Sequence, residues 1–143
     1  MTYGNLLNKV MVYSLDTNVC IRYLKGSPPQ LIQKFQEVAP SDIAVASIVR
    51  AELFYGAVKS NNPTKTLAAQ LNFLQPYVSL PFDDNAATIF AKERAQLESS
   101  GVMIGPYDLL IASIALAQNL ILVTHNVREF SRVTGLRIED WEA

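Results

Sequence analysis

The sequence predicts an α/β fold with a central, mostly parallel sheet of four to five strands and helices on both faces. Short apolar runs alternate with stretches of helical spacing from Val12 onward, and such alternation builds parallel sheets through helical crossovers. Two of the runs, Ile43-Ala44-Val45-Ala46 and Leu120-Ile121-Leu122-Val123-Thr124, have no polar face, as strands covered on both sides should. The chain has 143 residues, half of them apolar, which is enough for one domain with a real core.

The first strand is Val12-Tyr13-Ser14-Leu15, and it stops at three small polar residues, Asp16-Thr17-Asn18. The run Val19-Cys20-Ile21-Arg22-Tyr23-Leu24 then reads as a helix, which any one of those three residues can cap. Lys25-Gly26-Ser27 is a breaker. Pro28-Pro29 opens a second helix, with Leu31, Ile32, Phe35 and Val38 at helical spacing. Ala39-Pro40-Ser41-Asp42 ends it, and Ile43–Ala46 is the second strand. Ser47 starts a helix running to about Lys59. After the turn Asn61-Asn62-Pro63-Thr64, a further helix carries Leu67, Leu71 and Leu74.

Tyr77-Val78-Ser79-Leu80 reads as the third strand. Asp83 or Asp84 caps a long helix to about Glu98, with Ala86, Ile89, Phe90 and Leu97 on its inner face and Gly101 closing it. Gly105-Pro106 leads into a helix from about Tyr107, and its almost wholly apolar body, Leu109 to Ala117, predicts a central, buried position. Asn119 ends that helix and Leu120–Thr124 is the clearest strand. A short helix at Val127–Phe130, then Gly135 and a last strand near Leu136–Ile138, complete the chain. Residues 1–143 read as a single domain, with residues 1–10 a loose extension ahead of the first strand.

Composition narrows the function. The formal net charge is −1, so no global basic field draws the chain to nucleic acid or membrane, and a polyanion must meet local Lys and Arg. One cysteine, Cys20, excludes an internal disulfide and suits a reducing compartment, so a cytoplasmic location is expected. With His125 the single histidine, Cys/His zinc sites are excluded by count. No run is long enough to span a bilayer, and residues 1–10 lack a signal-peptide pattern. Dinucleotide and NTP fingerprints are absent.

What stands out is acid where apolar chain would be expected. Asp16 ends the first strand and Asp108 begins the buried helix; Asn126 and Glu129 follow the strand ending at Thr124. Each has a bland reading as a cap, and Asn126 with Glu129 could form a capping box. Glu52 resists one. It lies on a mostly apolar helix with no partner on its own face, since Arg50 points elsewhere, and a buried carboxylate costs several kcal/mol unless paired or metal-bound. In a parallel α/β sheet, strand ends and helix starts gather at one rim. Like charges there repel and raise each other's pKa. A hard divalent cation such as Mg²⁺ or Mn²⁺ resolves the repulsion, activates water and stabilises a phosphoryl transition state.

The same residues fall into a known pattern. Leu15-Asp16-Thr17-Asn18; Ser47 with Glu52-Leu53-Phe54-Tyr55-Gly56; Gly105-Pro106-Tyr107-Asp108 with Ile111-Ala112; Val123-Thr124-His125-Asn126-Val127-Arg128-Glu129-Phe130; and the ending Gly135-Leu136-Arg137-Ile138-Glu139-Asp140-Trp141 together resemble the PIN-domain ribonucleases, and among them the VapC toxins of type II toxin–antitoxin pairs. The resemblance covers nearly the whole chain from Met11. It implies a PIN-like fold and a Mg²⁺- or Mn²⁺-dependent endoribonuclease, often acting on structured RNA such as tRNA anticodon loops. It also implies a homodimer, and a VapB-type antitoxin that inserts a segment to block the site. By position, Asp16, Glu52 and Asp108 match the metal-binding acids. The fourth position is Asn126 where relatives often carry Asp, which leaves Glu129 as the nearest acid. Thr124 and Asn126 would orient ligands or water.

His125 reads as a rim residue. Arg22, Lys25, Arg50, Arg94, Arg128 and Arg132 are candidates for phosphate contact, with Arg128 the first choice. Thr124 and Arg94 join Arg128 as candidate substrate contacts. Two further readings stay open beside the toxin: a PIN-like nuclease of RNA processing or DNA cleavage, and an inactive domain that only binds a partner.

Overall fold

The computed structural model describes residues 11–143, so the expected extension at 1–10 lies outside the described residues. Five strands form one parallel sheet: β1 (Tyr13–Leu15), β2 (Ile43–Ala46), β3 (Val78–Leu80), β4 (Ile121–Val123) and β5 (Ile138–Glu139), in the order β3-β2-β1-β4-β5. The sheet is parallel throughout, beyond the mostly parallel arrangement read from the sequence. The helices are α1 (Thr17–Lys25), α2 (Pro29–Glu37), α3 (Ser47–Val58), α4 (Pro63–Leu74), α5 (Asp84–Ser99), α6 (Pro106–Ala117) and α7 (Val127–Phe130), with a 3₁₀ turn at Pro40–Asp42.

The strand order fixes where a site can form. From β1 the chain steps through β2 to β3 on one side, then returns across the sheet to β4 and β5 on the other. Right-handed crossovers in opposite directions put their helices on opposite faces. The reversal opens a crevice beyond the carboxyl ends of β1 and β4. Leu15 is level with Val123, and the Asp16 N–H donates to the Val123 carbonyl at 3.0 Å, so Asp16 and Thr124 emerge side by side.

The buried core follows the apolar runs. β2 is buried at every position, and Leu109, Ile111, Ala112, Ile114 and Ala115 bury the centre of α6. Cys20 is fully buried, and burial pushes its thiol well above the usual range, as a small core residue requires. Asp83 caps α5 by accepting from the Ala86 N–H at 2.9 Å. Ala86 and Leu97 are buried there, while Ile89 and Phe90 are only half-buried at the margin.

On α4 the leucine spacing does not mark the inner face. Leu67 and Leu71 are exposed, and Gln70, Phe73 and Leu74 are buried. Phe73 joins a chain of rings, Tyr77–Phe73–Tyr23–Phe35–Trp141–Tyr13, with successive centroids 4.3–5.4 Å apart. One aromatic ring buries more apolar area than a leucine, so the cluster sets the helix rotation. Gln70 turns inward because its amide donates to the Leu53 carbonyl at 2.8 Å. Among the described residues no helix is long and apolar enough to cross a membrane.

Candidate active site

A cleft of about 740 Å³ opens at the carboxyl end of the sheet, lined by Asp16, Thr17, Asn18, Ile21, Ile48, Ala51, Glu52, Tyr55, Tyr107 and Asp108. Each acid arrives by a different route. Asp16 stands at the step from β1 to α1, only 4 % exposed, and caps α1 by accepting from the Val19 N–H at 2.8 Å. The cap and the site residue are therefore one side chain. Thr124 emerges fully buried from β4; its hydroxyl accepts from the Asn126 N–H at 2.9 Å and is hydrogen-bonded to Asp16. Burial raises the Asp16 pKa, against the lowering effects of Thr124, Val19 and the nearby Arg22.

Glu52 comes from the second turn of α3. The partner its own helix could not supply comes from α1: the Thr17 hydroxyl donates to Glu52 at 2.6 Å. Asp108 lies in the first turn of α6, next to the Gly105-Pro106 start. Burial first, then the charge of Glu129, push its pKa up to about 7, with Asp16 and Glu52 adding to the rise. Glu129 moves the other way. It accepts from the Gly105 N–H at 2.9 Å and from the Asn126 amide at 3.1 Å, and these donors hold its carboxyl below the usual range. Asp108 and Glu129 are hydrogen-bonded to each other, so one proton rests on this pair with Asp108 as its holder near neutral pH. The capping box expected at Asn126 does not form: Asn126 makes no side-chain cap, and Glu129 reaches Gly105 instead.

Gly105 is where the backbone must come close. An added Cβ there would meet Asp108 at 3.5 Å and Glu129 at 3.7 Å, ordinary contacts that would wall off the Asp108–Glu129 pair from that side.

The candidate cations separate by position. Arg128 is exposed beside Glu129 on α7 and makes no hydrogen bond or ion pair among the described residues. Arg50 donates to the Val45 and Tyr77 carbonyls, tying β2 to the start of β3. Arg22 pairs with Glu142 at 2.8 Å, and Arg132 donates to the Met103 carbonyl. Arg94 pairs with Glu98 on the exposed face of α5 and borders a different, apolar hollow with Phe90, Leu97 and Met103. His125 is exposed, 3.0 Å from Asp140, in keeping with a rim position. Two contributors escaped the sequence reading of the site. Thr17 was read as a cap and Tyr107 as a helix start, and only their approach across the cleft gives them roles there.

The donor set fits a hard divalent cation by its chemistry: every acid offers oxygen, burial and the neighbouring acids lift Asp108, and among the described residues no lysine or arginine lines the cleft. Among the described residues no three of His, Cys, Asp and Glu are grouped closely enough to hold an ion as they stand; protein donors engage Asp16, Glu52 and Glu129.

Residues 13–136 match the PIN domain family. The chain is 39 % identical to the tRNA(fMet)-specific endonuclease VapC of Salmonella typhimurium over 132 residues, 92 % of this chain and 99 % of that protein. It is 39 % identical to ribonuclease VapC2 of Haemophilus influenzae with the same coverage. Among solved structures, the DNA-bound VapBC complex of Salmonella typhimurium superposes with a TM-score of 0.87 at 39 % identity, covering 92 % of this chain and 99 % of that one. VapBC2 of Rickettsia felis, bound to a promoter DNA fragment, gives 0.85 at 36 % identity, with the same coverage. A parallel sheet whose switch point gathers Asp16, Glu52 and Asp108 in one cleft, together with this similarity along nearly the whole chain, gives the conclusion that the chain belongs to the PIN-domain family and, within it, to the VapC ribonucleases.

Proposed function

We propose that the protein is an endoribonuclease that hydrolyses RNA phosphodiester bonds with a divalent cation, Mg²⁺ or Mn²⁺, and acts as the toxin of a VapBC pair. The observation that carries the chemistry is the convergence of Asp16, Glu52 and Asp108 on one cleft with no cationic side chain among its described lining residues, and Glu129 hydrogen-bonded to Asp108 beside it. Relatives named tRNA(fMet)-specific endonuclease support RNA, and tRNA within it, as the substrate. Solved relatives that are VapBC complexes support a VapB-type antitoxin as partner, and a homodimer of the toxin chain is part of the same proposal. A cytoplasmic location and a single PIN unit across residues 1–143 belong to the same reading.

Asp16, Glu52 and Asp108 would hold the cation, with Glu129 or Asn126 at the fourth position. The cation would supply a nucleophilic water at neutral pH and offset charge on the phosphoryl group. The protein's own groups prepare this. Val19 and Thr124 fix Asp16, Thr17 fixes Glu52, and Gly105 with Asn126 keeps Glu129 ionised. Asp108 carries a proton that leaves near neutral pH, so the site can release it when positive charge arrives.

The test is to incubate the purified protein with total RNA, with Mg²⁺ or with EDTA, and to sequence the new ends. Attack by water predicts 5′-phosphate and 3′-hydroxyl products. Cutting that survives EDTA, or that leaves 2′,3′-cyclic phosphate, would mean acid–base chemistry on the 2′-hydroxyl instead.

A further inference from the structure

The walls of the cleft pose a problem for an RNA ligand. A polyanion is usually bound by lysine and arginine on its phosphates, yet the lining of this cleft carries acids and no basic side chain. Arg128 at the rim can meet a phosphate, and the cleft itself leaves the rest of the affinity that brings RNA to the carboxylates to other parts of the nucleotide. Two large rings stand at the lining, Tyr55 on α3, 65 % exposed, and Tyr107 at the start of α6, 60 % exposed. Neither joins the aromatic cluster of the core, and among the described residues neither hydroxyl makes a hydrogen bond. Lys59, one turn beyond Tyr55, lies with its ammonium 6.0 Å from that ring centre. Tyr55 follows Glu52 by three residues and Tyr107 immediately precedes Asp108, so each ring shares a helix with a site acid.

We propose that Tyr55 and Tyr107 are the substrate-positioning residues of the ribonuclease, stacking the bases that flank the phosphate presented to the carboxylates. The role rests on the ribonuclease reading above and deepens it. Stacking is available to every base because each has a π-face, and it needs the flanking nucleotides unpaired. It also accommodates an acidic cleft, since it holds the base and leaves the phosphate to meet whatever charge the acids have gathered. Lys59 places a positive charge over the Tyr55 ring, outside the residues that line the cleft.

The experiment uses the full chain and a short single-stranded RNA containing one cut site. kcat and KM are measured with Mg²⁺, and affinity by fluorescence anisotropy with Ca²⁺ in its place. Tyr55→Leu and Tyr107→Leu should each raise KM and Kd by about 5- to 100-fold with kcat kept within a few-fold, and Phe at either position should restore binding. An abasic site beside the scissile phosphate should weaken wild type by a similar factor. The Leu variant facing that base should lose nothing further, which a merely structural role for the ring would not produce. The dependence of log Kd on log salt should be shallow, about one or two phosphates' worth, and the same in the variants. Leu variants with wild-type KM and Kd overturn the proposal and assign the exposed rings to a protein partner. Losses that are equal on intact and abasic RNA also overturn it. Wild type that never cuts RNA refutes the ribonuclease reading itself, whereas cutting with unchanged KM in both Leu variants refutes only the stacking role.

Discussion

Asp108→Asn tests the electrostatic account of the site without any RNA. Asp108 titrates near 7 in the folded protein against an ordinary value of 3.8. A carboxyl whose folded pKa is raised binds more protons folded than unfolded between those values. Its contribution to stability is therefore full below about pH 4 and is lost as pH rises through about 7. A shift of that size corresponds to a ceiling of ~4 kcal/mol. Asp108 is half exposed, and solvent screening reduces the working figure to about 1–2 kcal/mol. Asparagine keeps the shape and can still donate to Glu129, but it carries no charge. In EDTA at pH 8, Asp108→Asn should be more stable than wild type by about 1–2 kcal/mol, roughly 3–6 °C in Tm. The advantage should shrink steadily as pH falls below about 7 and vanish only at about pH 4. Thermal unfolding followed by circular dichroism across pH 4–8 measures this, and RNA cleavage by the same variant should be abolished. A Tm difference that does not change with pH would refute the claim that burial and the neighbouring acids together raise the Asp108 pKa.

Other expectations follow from single contacts. Asp16→Asn keeps an oxygen for the Val19 N–H, so the fold should hold within about 1 kcal/mol while growth arrest on expression disappears; a soluble variant that stays toxic would make Asp16 only a cap. Glu129→Gln should weaken metal-supported cleavage more than Asn126→Ala does, and Asn126→Asp should be tolerated, because Glu129 carries the charge; metal titrations of cleavage decide, and a wild-type Glu129→Gln beside a dead Asn126→Ala reverses the assignment. Thr17→Val frees Glu52 from its 2.6 Å donor and should cut kcat about tenfold with Tm nearly unchanged, read from cleavage and melting side by side. Trp141→Ala removes the buried ring between Tyr13 and Phe35 and should cost about 3–5 kcal/mol in urea unfolding; a loss under 1 kcal/mol would mean that the C-terminal segment does not support the fold.

The alternation of runs was enough to read the sheet, because strand and helix periods are local properties of the chain. β2, the burial of α6 and the short α7 at Val127–Phe130 all stand where the sequence put them. Asp16, Glu52 and Asp108 were visible for a related reason. A carboxylate among apolar neighbours contradicts its local pattern, and that contradiction needs no tertiary knowledge to detect. What the sequence left open involved partners far apart in the chain. Whether Glu52 was paired depended on Thr17, 35 residues away, and Glu129 passed over the local capping box for the Gly105 N–H, 24 residues away. The rotation of α4 depended on rings from three other segments packed on Phe73, so Leu67 and Leu71 pointed outward. The arginines looked equivalent as charges, and only their surroundings made Arg50 a brace for two carbonyls and left Arg128 exposed at the rim. Local periodicity is written within one turn or one pleat, whereas hydrogen-bond choice, pKa and exposure are settled by whatever the folded chain brings within a few ångströms, and that is known only once the strands have taken their order.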